Sequence, residues 1–305
     1  MILCITPNPA LDHTLTVSEL RAGSVMRATS SRLTAGGKGI NVARAVRTLG
    51  GEALCMGLVG GPSGQHLETL ARAEGLRFEW TRIDGNTRTC VIAVSNDGDS
   101  TVINEEGPQV TALDWSNFRA DVLRSLSLSP AIISFSGSLP KASPLDAWEQ
   151  LLRTAQSAKQ PVWVDTSGKP LETALRVGGL NLKINSAEMS DLLKRPVEDA
   201  ESAIEAAREL RKTRLSSIVV TLGKGGAVLV DSSGAIQSCA PEVETVNAVG
   251  SGDAFLGGLL VALSRDLPPR EALSWGIAGG AANAMSSGGA HFTFEQFQKF
   301  KSSAI

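Results

Sequence analysis

Asp253 sits in the run Asn247-Ala248-Val249-Gly250-Ser251-Gly252-Asp253-Ala254-Phe255, which sets a carboxylate beside a glycine-rich helix start. Glycines let the backbone approach a ligand closely, the first amides of the following helix lack intrahelical partners, and the helix dipole favours negative charge there. A phosphoryl group suits such a turn. Asp253 would stand beside it as a general base, so Gly250, Ser251, Gly252 and Asp253 read together as a phosphoryl-transfer centre. The alternative is a tight loop in which Asp253 only favours its own helix as a first-turn acid.

Two further stations carry polar chemistry. Ala35-Gly36-Gly37-Lys38-Gly39-Ile40-Asn41 joins a flexible turn to a cation and an amide at the entry of a helix over 39–49, where it either holds a polar ligand or makes a solvated turn. It is not a Walker A loop, because none of Gly37-Lys38, Gly168-Lys169 and Gly223-Lys224 is followed by Ser or Thr. Asn185 stands at a strand exit with Glu188 on the next turn. Their oxygens suit Mg2+ or its waters, and equally suit a capping box, and the two roles are compatible.

Other chemistries find no support. Ser138-Leu139-Pro140-Lys141 fits S-x-x-K without an accompanying S-D-N or K-T-G. His13, His66 and His291 form no close ligand pair, and no G-x-G-x-x-G follows a strand.

The elements that must position these residues alternate in type. Met1–Thr6, Ile132–Phe135, Val162–Val164, Leu182–Ile184 and Ile218–Leu222 read as short buried strands. Between them, 114–126, 145–157, 199–213 and 250–265 repeat apolar residues at helical spacing. That rhythm predicts an α/β fold, a mostly parallel sheet with helices on both faces and ligands at the carboxyl ends of its strands. Two hairpins break it: 91–94 with 101–104 across Asn96-Asp97-Gly98-Asp99, and 227–231 with 235–238. The first, joined by Leu15-Thr16-Val17, is expected to form a small projecting sheet, so the chain reads as one domain, 1–305, with lid segments at about 12–34 and 86–107.

With 305 residues, 42% of them hydrophobic, the chain supports a sizeable core. A net charge of −2 supplies no field for nucleic acid and no polybasic membrane patch, so neither partner is expected. Cys4, Cys55, Cys90 and Cys239 lie far apart and read as reduced thiols. The start of the chain lacks a signal-peptide pattern and no segment suits a membrane span, so a cytoplasmic location is expected.

Taken together, Gly36 to Arg44, Asn185-x-x-Glu188 and Val249 to Phe255 resemble the signatures of the ribokinase-like (PfkB) carbohydrate kinases over essentially the whole chain. The resemblance implies the three-layer fold of that family, with a β lid. Thr6 to Asp12, Thr87-Arg88, Ile103 to Pro108 and Ser136 to Pro140 are similar to its phosphohexose branch, which includes 1-phosphofructokinase and tagatose-6-phosphate kinase. Asn247 departs from the wider family, where many members carry Asp. The implied reaction is transfer from MgATP to a ketohexose monophosphate, fructose 1-phosphate or tagatose 6-phosphate. The alternatives are a kinase for an unphosphorylated sugar or nucleoside, or a non-catalytic sugar-phosphate sensor.

By the same resemblance, Asp12, Gly37, Lys38, Asn41 and Ser138 would hold the sugar and Arg88 its phosphate. Lys183, Asn185, Thr221, Gly223, Gly225 and Asn283 would serve ATP, and Asn185 and Glu188 would serve Mg2+. A homodimer through the lid is also expected, from the apolar Val91, Ala93 and the opposing Val102, since a lone hairpin is marginal.

Overall fold

The computed structural model of the chain describes residues 1–95, 100–286 and 288–301. The turn expected at 96–99 lies outside them. In chain order the first elements are β1 (Ile2–Thr6), β2 (Ala10–Val17), β3 (Ser30–Gly36), α1 (Lys38–Thr48), β4 (Ala53–Val59), α2 (Gly61–Ala73), β5 (Arg77–Arg82), β6 (Arg88–Ser95) and β7 (Ser100–Asn104). The middle of the chain gives α3 (Ala112–Leu126), β8 (Ile132–Ser136), α4 (Leu145–Gln156), β9 (Val162–Asp165), α5 (Gly168–Val177), β10 (Asn181–Asn185), α6 (Ser186–Leu193) and α7 (Ala200–Arg211). Then follow β11 (Ser217–Thr221), β12 (Ala227–Asp231), β13 (Gly234–Ser238), α8 (Ser251–Leu263), α9 (Pro269–Ala284) and α10 (Phe294–Lys301).

Nine strands make one sheet in the order β13-β12-β11-β10-β9-β8-β1-β4-β5. It is parallel from β11 through β5 and turns antiparallel at β12 and β13. Successive side chains of a strand point to opposite faces, so a strand buried on both faces feeds two cores. β1 does so: Ile2 and Cys4 enter a core with α1, α8, α9 and α10, while Leu3 and Ile5 enter one with α3, α4, α5 and α7. This is the three-layer α/β arrangement expected of the sequence.

On the first face the helices approach closely because glycine removes the obstacle. A Cβ on Gly257 would lie 2.5 Å from the Cβ of Ala45 on α1, and one on Gly258 would lie 2.4 Å from the carbonyl oxygen of Trp275 on α9. The loop ahead of α8 is thereby held against the start of α1.

β3-β2-β6-β7 form a separate four-stranded sheet. Its centre is the parallel pair of β2 with β6, flanked by antiparallel β3 and β7. The expected hairpin is present, but its register corrects one expectation. Val91 opposes Ile103 and Ala93 opposes Thr101, whereas Val102 opposes Ile92 and so lies on the other face. The half-exposed apolar face therefore comprises Leu15, Leu33, Val91, Ala93 and the exposed Ile103.

Candidate active site

The sequence-marked residues converge where β1, β8, β9 and β10 end and α1, α6 and α8 begin, the usual place for ligands in such a sheet. Asp253 lies in the first turn of α8, whose N-cap Gly250 adopts a left-handed φ of 82°. A side chain there would strike Gly289, since a Cβ would come within 2.6 Å of its Cα. Asn247 accepts a hydrogen bond from the Val249 amide at 2.9 Å, shaping the approach to this turn.

The Asp253 carboxylate is buried, and Asn41 Nδ2 donates to its Oδ2 at 2.8 Å. Burial pushes its pKa up to about 6, against the lowering influence of Lys38, Asn41 and Lys183. A carboxylate so tuned is a competent proton acceptor near neutral pH. The amides of Ser251 and Asp253 already donate to Ala248 and Gly250 carbonyls, which narrows the expected anion hole. The Gly252 position stays exposed to a cation: a Cβ there would lie 2.9 Å from Lys183 Nζ. An ammonium over a helix N-terminus adds to the attraction for phosphoryl oxygens.

Lys183 and Lys38 share a partner that the sequence motifs did not single out. Asp165, wholly buried at the end of β9, takes Lys38 Nζ at 2.9 Å on one oxygen and Lys183 Nζ at 3.0 Å on the other. Burial would raise the pKa of Asp165, but Lys183 and Lys38 outweigh it and hold it at about 2. The available signal was a carboxylate ending the apolar strand Val162-Trp163-Val164. Asp165, assisted by Asp253 and Glu188, drives the Lys38 pKa well above its ordinary value against the lowering influence of burial.

Asn185 and Glu188 form the capping box at the start of α6, with Glu188 N donating to Asn185 Oδ1 at 2.8 Å and Asn185 N donating to Glu188 Oε2 at 3.1 Å. Glu188 Oε1 stands 3.7 Å from Lys38 Nζ. Among the described residues no group of three or more His, Cys, Asp or Glu gathers to cage a metal. A single carboxylate edge, Glu188 Oε1, fits Mg2+ held mainly by phosphates and water, the habit of that ion, better than a protein-built cage.

Ahead of α1, Asp12 carboxylate oxygens lie where a Cβ on Gly36 would fall, so only glycine fits there. Burial raises the pKa of Asp12 to about 6 despite Arg44 and Arg88. Gly37, at φ 103°, caps α1 ahead of Lys38. Arg88 donates to the carbonyls of Asn8 at 3.2 Å and Glu105 at 3.1 Å, and among the described residues no carboxylate lies within ion-pair distance of it. Asn8 was also missed: its Nδ2 reaches the Glu106 carbonyl, Ser138 Oγ and the Leu139 carbonyl, tying the segment after β7 to the loop after β8.

A cavity of about 950 Å3 adjoins this centre, bounded by Thr221, Gly223, the 240–245 segment, Ser251, Gly252 and Ala281. It brings Thr221 and Gly223 together with Ser251 and Gly252 of the α8 turn and has room for a nucleotide. Asn185 and Gly225 are not on its wall. Asn283 requires a correction: it is fully buried, its Nδ2 donating to the Val249 carbonyl and Ser251 Oγ while its Oδ1 accepts from the Ala290 amide. It braces the glycine turn and has no edge left for ATP.

The family model for pfkB family carbohydrate kinases matches residues 6–295. The chain belongs to that family. As a member of this carbohydrate kinase family it is a phosphotransferase acting on a hydroxyl. It is 29% identical to 1-phosphofructokinase of Bacillus subtilis over 286 residues, covering 94% of this chain and 93% of that one. With 1-phosphofructokinase of Haloferax volcanii it shares 33% over 278 residues, 91% of this chain and 88% of the other. Among solved structures, phosphofructokinase-2 from Escherichia coli in complex with fructose-6-phosphate superposes with a TM-score of 0.89 at 28% identity, covering 99% of this chain and 98% of that one. Among the described residues no helix is long and apolar enough to cross a membrane.

Proposed function

We propose that this pfkB kinase transfers the γ-phosphoryl group of ATP to a hydroxyl of a ketohexose monophosphate, giving the bisphosphate. The observation that carries the reading is the presence in one site of a buried, Asn41-bonded Asp253 and of Arg88, a guanidinium that among the described residues bonds only to backbone carbonyls. A planar cation without a carboxylate partner suits a substrate phosphate. The names of the relatives support fructose 1-phosphate as the first substrate to test.

In the mechanism the sugar lies along Asp12, Gly37 and Asn41, with its own phosphate toward Arg88, assisted by Lys38, and with Ser138 at the rim. Asp253 takes the acceptor proton on its carboxylate as the new bond forms. Lys183 and the Gly252 amide face the transferring oxygens, and Thr221 and Gly223 border the nucleotide. Glu188, with Asn185 fixing its carboxylate, would hold Mg2+ through water, and the ion would supply charge neutralisation on the phosphates. Closing the β2-β3-β6-β7 sheet over the sugar would exclude water from this centre.

A homodimer is proposed to form through the apolar lid face of Leu15, Leu33, Val91, Ala93 and Ile103, the last 64% exposed. Two copies joined there would bury each other's face by an isologous contact, and a micromolar monomer in sedimentation with full activity contradicts it. Four free cysteines support a reducing, cytoplasmic setting.

A coupled assay across fructose 1-phosphate, fructose 6-phosphate, tagatose 6-phosphate, fructose and ribose tests the substrate class. A phosphohexose is expected to exceed free sugars in kcat/KM by roughly 10²–10⁴, as two charge-assisted contacts provide. Arg88→Ala should erase much of that preference. Equal kcat/KM for free sugars and every phosphohexose would refute the reading in favour of a kinase for unphosphorylated sugars.

A further inference from the structure

Asn41 supports Asp253 only in one of its two amide orientations. With Nδ2 toward the carboxylate it donates at 2.8 Å, and with Oδ1 there it would oppose one acceptor with another. The group that decides is Arg44, one helical turn further along α1, whose Nη1 donates to Asn41 Oδ1 at 2.7 Å. Arg44 is itself immobilised. It is 5% exposed, Nη2 donates to the Ala35 carbonyl at 2.6 Å, Nη1 to the Gly289 carbonyl at 2.8 Å, and Nε to Glu74 at 2.6 Å.

These anchors come from the sugar-side turn, the end of α2 and the loop packed against Gly250. A guanidinium fork spends its donors in fixed directions, so the orientation of the Asn41 carboxamide is dictated by three remote segments. We propose that Arg44 is a positioning residue for phosphoryl transfer, locking the Asn41 amide in the orientation that keeps the Asp253 carboxylate aimed at the acceptor hydroxyl. The inference rests on Asp253 being the base.

A clamp serving the fold alone would hold the same carbonyls, so the test must read the chemistry. Arg44→Lys keeps the positive charge and removes the fork. The groups that set the charge of Asp253 are Lys38 and Lys183, which favour the carboxylate, and Asp165 and Asp12, which oppose it. None of them is altered. Loss of the Asn41 donor therefore raises the pKa of the base, and the acid limb of kcat moves to higher pH by about one unit.

The experiment measures kcat against pH at saturating ATP and fructose 1-phosphate, with Tm, for Arg44→Lys alone and in an Asn41→Ala background. The expected result is a fall in kcat of roughly tenfold to a hundredfold with the limb displaced, shrinking to less than about twofold when Asn41 is already gone. A lowered Tm with kcat and limb unmoved, or an undiminished loss in the Asn41→Ala background, overturns the proposal.

Should Arg44→Lys fail to fold, Glu74→Gln loosens the guanidinium without deleting it. The limb should then move the same way by a smaller amount, opposite to the direct effect of removing a negative charge. An unmoved or lowered limb overturns the proposal. Near-normal turnover in Asp253→Asn would instead remove the base on which the inference rests, while an inactive Asp253→Asn beside an uncoupled Arg44→Lys would sink the positioning role alone.

Discussion

Two buried aspartates of one cleft are set to opposite duties. Asp165, at the end of β9, is clasped by Lys38 and Lys183 and held ionised, with a pKa of about 2. Asp253, at the start of α8, receives among the described residues one direct side-chain hydrogen bond, from the neutral Asn41 amide, and burial lifts it to about 6. Both carboxylates are buried; the difference is who touches them. Two ammonium contacts make a charge anchor, and one amide contact makes a group able to accept a proton near neutral pH.

The largest expected effect of breaking this contrast is on rate. Asp253→Asn should lower kcat by about 10²–10⁴, the usual contribution of a positioned base, while sugar binding stays nearly intact. Turnover close to wild type in the folded variant would contradict that role.

Stability should separate the two carboxylates by sign. Raised from 3.8 to about 6, Asp253 is a burden on the fold that is absent below the unfolded pKa, grows as pH rises and is complete above about 6. Asp253→Asn should therefore stabilise the protein at pH 8 by about 1–3 kcal/mol and show no such gain at pH 4. Asp165, lowered from 3.8 to about 2, contributes stability above its unfolded pKa that is lost as pH falls through the folded one. Asp165→Asn should destabilise at pH 8 by about 3 kcal/mol, because Lys183 is left buried beside Lys38 without a counter-charge. Denaturant titrations at the two pH values check both, and equal shifts of the same sign would contradict the contrast.

The smallest effect concerns the outer edge of the cleft. Glu188→Gln should raise the Mg2+ concentration for half-maximal rate by a few-fold, since a hard cation loses a carboxylate while the capping hydrogen bonds survive. A change in Tm alone would assign Glu188 to helix capping only.

What the sequence disclosed follows from how local each signal is. The α8 glycine turn with Asp253, the α1 entry with Lys38 and Asn41, and the Asn185/Glu188 box are each written within a few residues, and the fold brings them together as expected. Asp165 escaped because its role comes from lysines at positions 38 and 183, far away in the chain. Asn283 was misassigned for the same reason: only the packing of α9 behind the glycine turn reveals that its amide is consumed.

The same limit applies to larger elements. The β2 to β6 pairing joins distant residues, Ala10 with Arg88 through Val17 with Ser95, and is parallel, so no turn signal announces it. Helix α9 is buried along nearly its whole length and carries Gly276, Gly279 and Gly280 at its contacts, so it lacks the one-sided apolar stripe that marks a surface helix. Strands β8, β9 and β11 were legible because continuous apolar runs are what a doubly covered parallel sheet requires.

Direct titration of the aspartate carboxyl carbons by NMR from pH 4 to 8, with Asp253→Asn and Asp165→Asn used to assign the two signals, tests the contrast itself. The signal lost in Asp253→Asn should titrate near pH 6, and the one lost in Asp165→Asn should stay ionised throughout. An Asp253 signal already fully ionised at pH 5, or an Asp165 signal that titrates within the range, would contradict the assignment of base and anchor.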